Sequence, residues 1–266
     1  MAEPALRPLH SSELTLLREV FPTESDAALT ARVATAHERA TRGVDPAHLY
    51  RCVRDVMYLQ PRVARLPEYA AALARAPGGG LWVDVGAGPG TDVRKVVLDG
   101  WPASRAAAVD VTSQLWPLGE ALFGAAPCAL TLCDVAAAPP PAALAHAASV
   151  VSLVSVLHTM DRALLEAFVR GLRALLAPGG LVIGSTVGAD APREWTFPAA
   201  AGCATRWLCS AGSLAEMLAA AGLVDVRVTE HALDGDEAGV GGGLRSSGAL
   251  REPWQRMLSF AAREPA

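Results

Sequence analysis

The sequence predicts an α/β protein: a mostly parallel sheet with helices on both faces, a closing antiparallel strand and an all-helical extension at the front. Three observations carry that reading. From Leu81 onward, short aliphatic and β-branched runs alternate with helical periods, the order that builds parallel sheets from strand–helix–strand crossovers. Before Pro77 the pattern is helical only, and Pro77-Gly78-Gly79-Gly80 marks the change of period. With 266 residues, 52% hydrophobic and 19% charged, the chain has apolar material for one large core. The boundary falls between residues 1–77, a helical extension or lid, and 78–266, the sheet domain.

In the extension, Ser12 can cap a run carrying Leu14, Leu16, Leu17 and Val20, and Ser25 precedes a second run through Ala40 that Gly43 ends. A third segment, Pro46 to Leu59, starts with proline and spaces Leu49, Val53, Val56 and Met57 helically; Pro61 to Ala76 follows. The alternating part then reads strand Leu81–Val85, helix Thr91–Asp99, strand Ala106–Val111, helix Ser113–Phe123 and strand Leu130–Asp134. A short Pro/Ala-rich helix leads to strand Ser149–Val156. Asp161 can cap a helix whose Leu164, Leu165, Phe168, Leu172, Leu175 and Leu176 share one face, stopped by Pro178-Gly179-Gly180. Strand Leu181–Val187, helix Ser213–Ala221 and a strand alternating Val224, Val226 and Val228 with polar residues come next. Gly235 to Gly248 reads as a flexible loop, and Gln255–Ala262 as a closing antiparallel strand.

Composition excludes several classes. Lys plus Arg number 23 against 27 Asp plus Glu, a formal charge of −4, which leaves no electrostatic footprint for nucleic acid or an anionic membrane. The apolar stretch Ala147–Leu157 is too short to span a bilayer and contains three serines. Glu3 and Pro4 without an apolar run do not read as a secretory signal, so the expected compartment is the cytoplasm. Five cysteines form no C-x-x-C pair, which points to reduced thiols rather than a disulfide framework, and no Cys/His spacing suggests a metal.

The chemistry is carried by Asp84-Val85-Gly86-Ala87-Gly88-Pro89-Gly90-Thr91, a glycine turn between a strand and a helix. Such a turn presents backbone N–H groups and the positive end of a helix dipole. Gly86 and Gly88 permit the tight turn and close approach of a ligand, with Ala87 between them, and Gly90 lets the helix approach the sheet. Thr91 stands where a dinucleotide fingerprint wants glycine. Asp110, followed by Val111, ends the second strand, where a carboxylate can accept from ribose hydroxyls. Asp134, followed by Val135, ends the third, where it can accept from an adenine amine. Acids at strand ends also serve as helix caps; their co-occurrence along one sheet edge favours a ligand.

These residues resemble the class I S-adenosylmethionine-dependent methyltransferases. Val83 to Gly90 looks like their first motif, Asp110 like the ribose-binding acid, Asp134 like the adenine-binding acid, and Leu176-Ala177-Pro178-Gly179-Gly180 like the turn before strand five. A narrower resemblance, to fungal-type secondary-metabolite methyltransferases including those acting on meroterpenoid intermediates, runs through His48–Arg54, Tyr58–Val63, Pro67–Tyr69, Gly90–Lys95, Asp99–Pro102 and Leu118–Phe123. The resemblance implies a Rossmann-like sheet and S-adenosyl-L-methionine as cofactor, held by Asp84, Gly86, Ala87, Gly88, Gly90, Asp110, Val111, Asp134, Val135 and Ser155. It also implies a small-molecule acceptor; the sequence leaves monomer and homodimer both open.

Methyl transfer from a sulfonium is an in-line displacement, so alignment and exclusion of water are the main demands. A carboxylate acceptor is already ionised, whereas a hydroxyl benefits from a base. His158, after strand four, is the candidate catalytic base or orienting group; a packing role is the alternative. Trp195, Arg206 and Trp207 fall where the fold roofs an acceptor pocket, with Tyr58 and Arg62 reaching from the extension; core or surface packing is the alternative for each. O-methylation of a carboxylate or hydroxyl is the expected reaction. Two other readings share the glycine turn: an NAD(P)-dependent oxidoreductase, and a catalytically silent cofactor-binding partner protein.

Overall fold

The computed structural model describes residues 8–43, 53, 56–199, 202–231 and 252–266. Strands β1 (Leu81–Val85), β2 (Ala106–Asp110), β3 (Leu130–Leu132), β4 (Ala148–Val154), β5 (Leu176–Ala189), β8 (Val224–His231) and β9 (Gln255–Arg263) form one seven-stranded sheet in the order β3-β2-β1-β4-β5-β9-β8. The first five pair in parallel, and β9 runs antiparallel to both β5 and β8. This is the Rossmann-like sheet expected, including the antiparallel closing strand. A separate ribbon, β6 (Arg193–Ala199) against β7 (Gly202–Leu208), stands beside it.

Alternation on the central strands divides the core. Val83, Val85, Val151, Leu153 and Val182 face one side with α6 (Arg162–Leu172) and α7 (Ala211–Ala220). Trp82, Val150 and Ile183 face the other with α4 (Thr91–Leu98) and α5 (Trp116–Phe123), and with Val63 and Tyr69 of the N-terminal segment, Tyr69 lying in α3 (Tyr69–Leu73). Helices α1 (Thr15–Val20) and α2 (Asp26–Gly43) bury Leu16, Leu17, Leu29 and Val33 against Leu115, Leu118, Leu122 and Phe123, thereby seating the extension on α5 and the residues before it. Arg18 pairs with Asp26, and Lys95 of α4 bridges Glu19 and Asp99. No helix among the described residues is long and apolar enough to cross a membrane.

Several expectations shift. His10, not Ser12, caps the first turn, because its ring and Glu13 form a reciprocal capping pair over a 3-10 turn. Met57–Leu59 is a 3-10 turn entered through a left-handed Val56, so no helix runs continuously to Leu59; Pro46 to Cys52 lie outside the described residues. The expected helix over Pro61–Ala76 is three short turns, because Pro61 and Pro67 deny donors to a longer ladder. After β3 the Pro/Ala segment makes turns rather than a helix, since Pro139-Pro140-Pro141 lacks N–H groups. Helix α6 ends at Leu172, and Leu176 pairs with Ala148 as the start of β5. Strand β4 closes at Val154 rather than Val156, α5 starts at Trp116, and α7 starts at Ala211 because Ser210 caps it. The loop expected over Gly235–Gly248 lies outside the described residues. The β6–β7 ribbon was not among the sequence expectations.

Candidate active site

Each glycine of the turn answers a different demand. Gly86, with φ +71°, would place a Cβ 2.4 Å from Val156 Cγ2. Gly90, with φ +72°, is closed off by Arg94 and Trp116. Gly88, with φ +51°, would meet nothing nearer than Leu115 Cδ1 at 3.9 Å, so its side of the turn is open at the carboxyl ends of the strands. Ala87 is buried, and its N–H and that of Gly86 both donate to the Val109 carbonyl, which fixes the turn to β2.

Asp110 accepts the Gly88 N–H at 2.9 Å and the Thr112 N–H at 3.1 Å. Beside it Val111 is 67% exposed and Leu132 is 59% exposed, an apolar lip between the acids ending β2 and following β3. Asp134 is exposed and accepts the Ala136 N–H at 2.9 Å, an orientation set by its own turn. Val135 turns away into the core with Leu144, Leu165 and Phe168. Asp84 lies beneath the turn rather than in the crevice: Ser152 Oγ donates to one carboxylate oxygen at 3.0 Å and itself receives the Trp82 indole N–H at 2.8 Å. The other Asp84 oxygen is buried without a hydrogen-bond partner. Burial, and next the nearby Asp92 charge, raise the Asp84 carboxyl well above the ordinary range.

The end of β4 is shaped by Ser155, held at φ +60° with its N–H on the Ser185 carbonyl at 2.8 Å. Three residues on, the His158 N–H donates to Thr186 Oγ1 at 3.1 Å, and the ring Nδ1 lies 3.3 Å from the same oxygen. Thr186 Oγ1 directs its own proton to the Val187 carbonyl at 3.3 Å. With that proton committed, Nδ1 is the donor of the ring and Nε2 carries the lone pair. Burial first, then the Arg206 and Arg62 charges, push the imidazole down to about 3, so it is neutral near pH 7.

The ribbon places the remaining residues. Trp207 donates its N–H to the Met160 carbonyl at 2.8 Å, which docks β7 on the segment holding His158. Cross-strand register sets Trp195 opposite Arg206 on one face and Glu194 opposite Trp207 on the other. Arg206 therefore shares a face with Trp195, whose ring packs edge-on to Trp254 at 6.3 Å. Trp207 instead lies under the Arg162 guanidinium, 5.0 Å from its ring, at the start of α6. From the extension, Tyr58 is buried with its hydroxyl 3.4 Å from His37 Nδ1, and its carbonyl accepts the Thr91 hydroxyl at 2.7 Å. Arg62 precedes Val63, whose N–H donates to Asp92 Oδ1 at 3.0 Å.

The structure thus gathers Gly88, Asp110, Val111 and Asp134 along one edge, and His158, Arg62 and Arg206 beside it. It sets Asp84 and Val135 behind that edge and directs Tyr58 and Trp207 into packing contacts. Sequence reasoning missed Thr186, which orients His158, and Arg94, buried against the turn; the signal for the latter was an arginine in the first turn of a helix, where the dipole disfavours it. An open Gly88 floor, a strand-end acid and an exposed apolar lip suit a nucleoside with an amino-acid tail. No group of three His, Cys, Asp or Glu suited to a metal occurs among the described residues.

A family model described as a methyltransferase domain matches residues 57–228, more than half of the chain. Over 117 residues the sequence is 28% identical to methyltransferase adrK of Penicillium rubens, covering 43% of this chain and 42% of that protein, so the match spans less than half the length of that curated relative. Among solved structures, 1,6-didemethyltoxoflavin-N1-methyltransferase of Burkholderia thailandensis is 18% identical with a TM-score of 0.52, covering 92% of each chain. Phosphoethanolamine N-methyltransferase 2 of Haemonchus contortus, in complex with S-adenosyl-L-methionine, is 14% identical with a TM-score of 0.55, covering 85% of this chain and 61% of that one. At these identities the structural likeness is one of fold.

Proposed function

This chain belongs to the methyltransferase-domain family of class I S-adenosylmethionine-dependent enzymes, and from that premise we propose that it methylates an oxygen, carboxylate or hydroxyl, of a small-molecule acceptor. The observation that carries the oxygen assignment is His158, neutral, oriented by Thr186 and set in the field of Arg62 and Arg206. S-adenosylmethionine, when bound, would supply the methyl group to that oxygen and leave as a neutral thioether, the carbon–sulfur electron pair staying on sulfur. Gly86, Gly88 and Gly90 would shape the floor for its amino-acid end, Asp110 would take the ribose hydroxyls, and Asp134 with Val111 would border the adenine.

On the acceptor side, Arg62 and Arg206 hold a negative oxygen by charge. For a hydroxyl acceptor, His158 Nε2 accepts a hydrogen bond from the O–H and so orients it, while the Arg62 and Arg206 charges favour its ionised form; for a carboxylate the two arginines orient the acceptor. Trp195 adds an apolar wall on the Arg206 face. The N-terminal extension acts as a lid, its Tyr58 and Val63 tied to the helix that follows the glycine turn through the Thr91–Tyr58 and Asp92–Val63 hydrogen bonds. These bonds belong to α4, the helix opened by the turn, so lid and cofactor floor are parts of one rigid unit.

The test is incubation with S-adenosylmethionine and a matched panel of carboxylic acid, phenol and amine acceptors, with products identified by mass spectrometry. Methyl esters or ethers are expected. Methylation of the amines alone overturns the oxygen assignment, and failure of S-adenosylhomocysteine to bind overturns the whole reading.

A further inference from the structure

Arg94 is an arginine where elementary rules argue against one. It lies in the first turn of α4, is 4% exposed, and its guanidinium donates to three main-chain carbonyls. Nη1 donates to the Pro89 carbonyl at 2.9 Å and to the Gly90 carbonyl at 3.0 Å, and Nη2 donates to the Gly124 carbonyl at 3.3 Å. The guanidinium also lies 5.6 Å from the Trp116 ring centre and 5.5 Å from that of Phe123. Burying a cation without a carboxylate bonded to it is unfavourable, and at a helix N-terminus doubly so; stability alone is better served by an apolar side chain of similar volume.

The bonds have a specific geometric effect. Because peptide units are planar, fixing the Pro89 and Gly90 carbonyls fixes the planes of two successive peptides in the glycine turn. Gly119 of α5 packs against the same carbonyl: a Cβ there would sit 1.7 Å from the Pro89 oxygen and 3.2 Å from Arg94 Nη1. Arg94 and Gly119 therefore clamp the turn to α5 from behind, while its Gly88 side stays open to the crevice. We propose that Arg94 is a positioning residue for the cofactor's amino-acid end, holding the glycine turn in the outline which that end requires. This inference rests on the cofactor assignment above.

The experiment compares two ligands by calorimetry: S-adenosylhomocysteine, which has the amino-acid tail, and 5′-methylthioadenosine, which lacks it. For Arg94→Met the expected result is at least about a tenfold loss of S-adenosylhomocysteine affinity, the scale of one misdirected hydrogen bond to a charged group, with less than about a threefold loss for 5′-methylthioadenosine. Arg94→Lys, which keeps a donor, recovers part of the difference. A core variant remote from the turn, Leu218→Ala, lowers the melting temperature and leaves the ratio of the two affinities at the wild-type value. An equal loss for both ligands, or no loss for either, overturns the inference. Should Arg94→Met fail to fold, Arg94→Gln carries the same comparison with the same criteria. Wild-type protein that does not bind S-adenosylhomocysteine at all would instead remove the cofactor assignment itself.

Discussion

The amide of Gly88 and the carboxylate of Asp110, 22 residues apart in sequence, are joined by a 2.9 Å hydrogen bond. The glycine turn and the end of β2 are consequently one unit: the acid proposed to take the ribose hydroxyls also sets the middle of the glycine turn. The second Asp110 oxygen is aimed by the Thr112 amide, so the carboxylate has little rotational freedom to lose on binding.

Asp110→Ala removes the Gly88 tether and the proposed ribose acceptor. Hydrogen bonds to a charged group are worth about 1.5–3 kcal/mol each, so S-adenosylhomocysteine affinity should fall about 10- to 100-fold by calorimetry. An affinity within twofold of wild type would remove Asp110 from the site.

Gly86→Ala and Gly88→Ala should separate folding from binding. Both positions have positive φ, which costs a side chain about 1–2 kcal/mol, but only at Gly86 does the added methyl meet Val156 at 2.4 Å. Gly86→Ala is expected to lower the melting temperature more than Gly88→Ala does. Gly88→Ala, folded, should lose cofactor affinity, because its methyl occupies the open floor. The opposite ranking in thermal melts would show that the open side of the turn has been misplaced.

His158 carries a pH prediction. Its imidazole is pushed down to about 3 in the folded protein, against about 6.5 in an unfolded chain. The unfolded state therefore binds the extra proton first, and this residue's contribution to stability is complete above pH 6.5 and falls as pH drops toward 3. His158→Gln should flatten the acid side of the stability curve measured by denaturant titration. Arg206→Gln removes one of the depressing charges and should raise the His158 pKa in a proton NMR titration; an unchanged value would separate Arg206 from the acceptor side.

Tyr69→Phe tests the junction between the extension and the sheet. The Tyr69 hydroxyl donates to Asp99 at 2.7 Å and its ring meets Trp82 edge-on at 6.0 Å. Burial and the Asp99 bond both raise the phenol's pKa, so it stays protonated and donating. Removing the hydroxyl keeps the ring contact and costs about 1 kcal/mol, read as a shift in the denaturation midpoint at constant slope. Asp99 keeps Lys95 as its partner, which limits the loss.

The strands of the sheet were largely legible because their apolar runs and terminal turns are local signals. Val83 and Val85 face one layer and Trp82 the other, so the run Leu81–Val85 is apolar on both sides, as a central strand's is, and the strand itself was readable from that run. Element ends were less legible. The leucine stripe of α6 continues past the helix to Leu175 and Leu176, because both remain buried after Leu172, so periodicity cannot show where the backbone bonding changes. The β6–β7 ribbon was hidden because its register pairs Trp195 with Arg206 and Thr196 with Thr205, and neither strand alternates cleanly.

What the chain determined by itself is the glycine turn with its flanking acids, the strand–helix alternation and the helical character of the first residues. Each depends on neighbours within a few positions: backbone freedom at glycine, missing donors at proline, side-chain period along one element. Only the folded structure decided that Asp84 lies beneath the turn while Asp110 faces the crevice, that Thr186 leaves a lone pair on His158, and that Arg94 grips the back of the turn. Those outcomes depend on which groups meet across distant segments and on what burial does to their charge, and no local pattern encodes either.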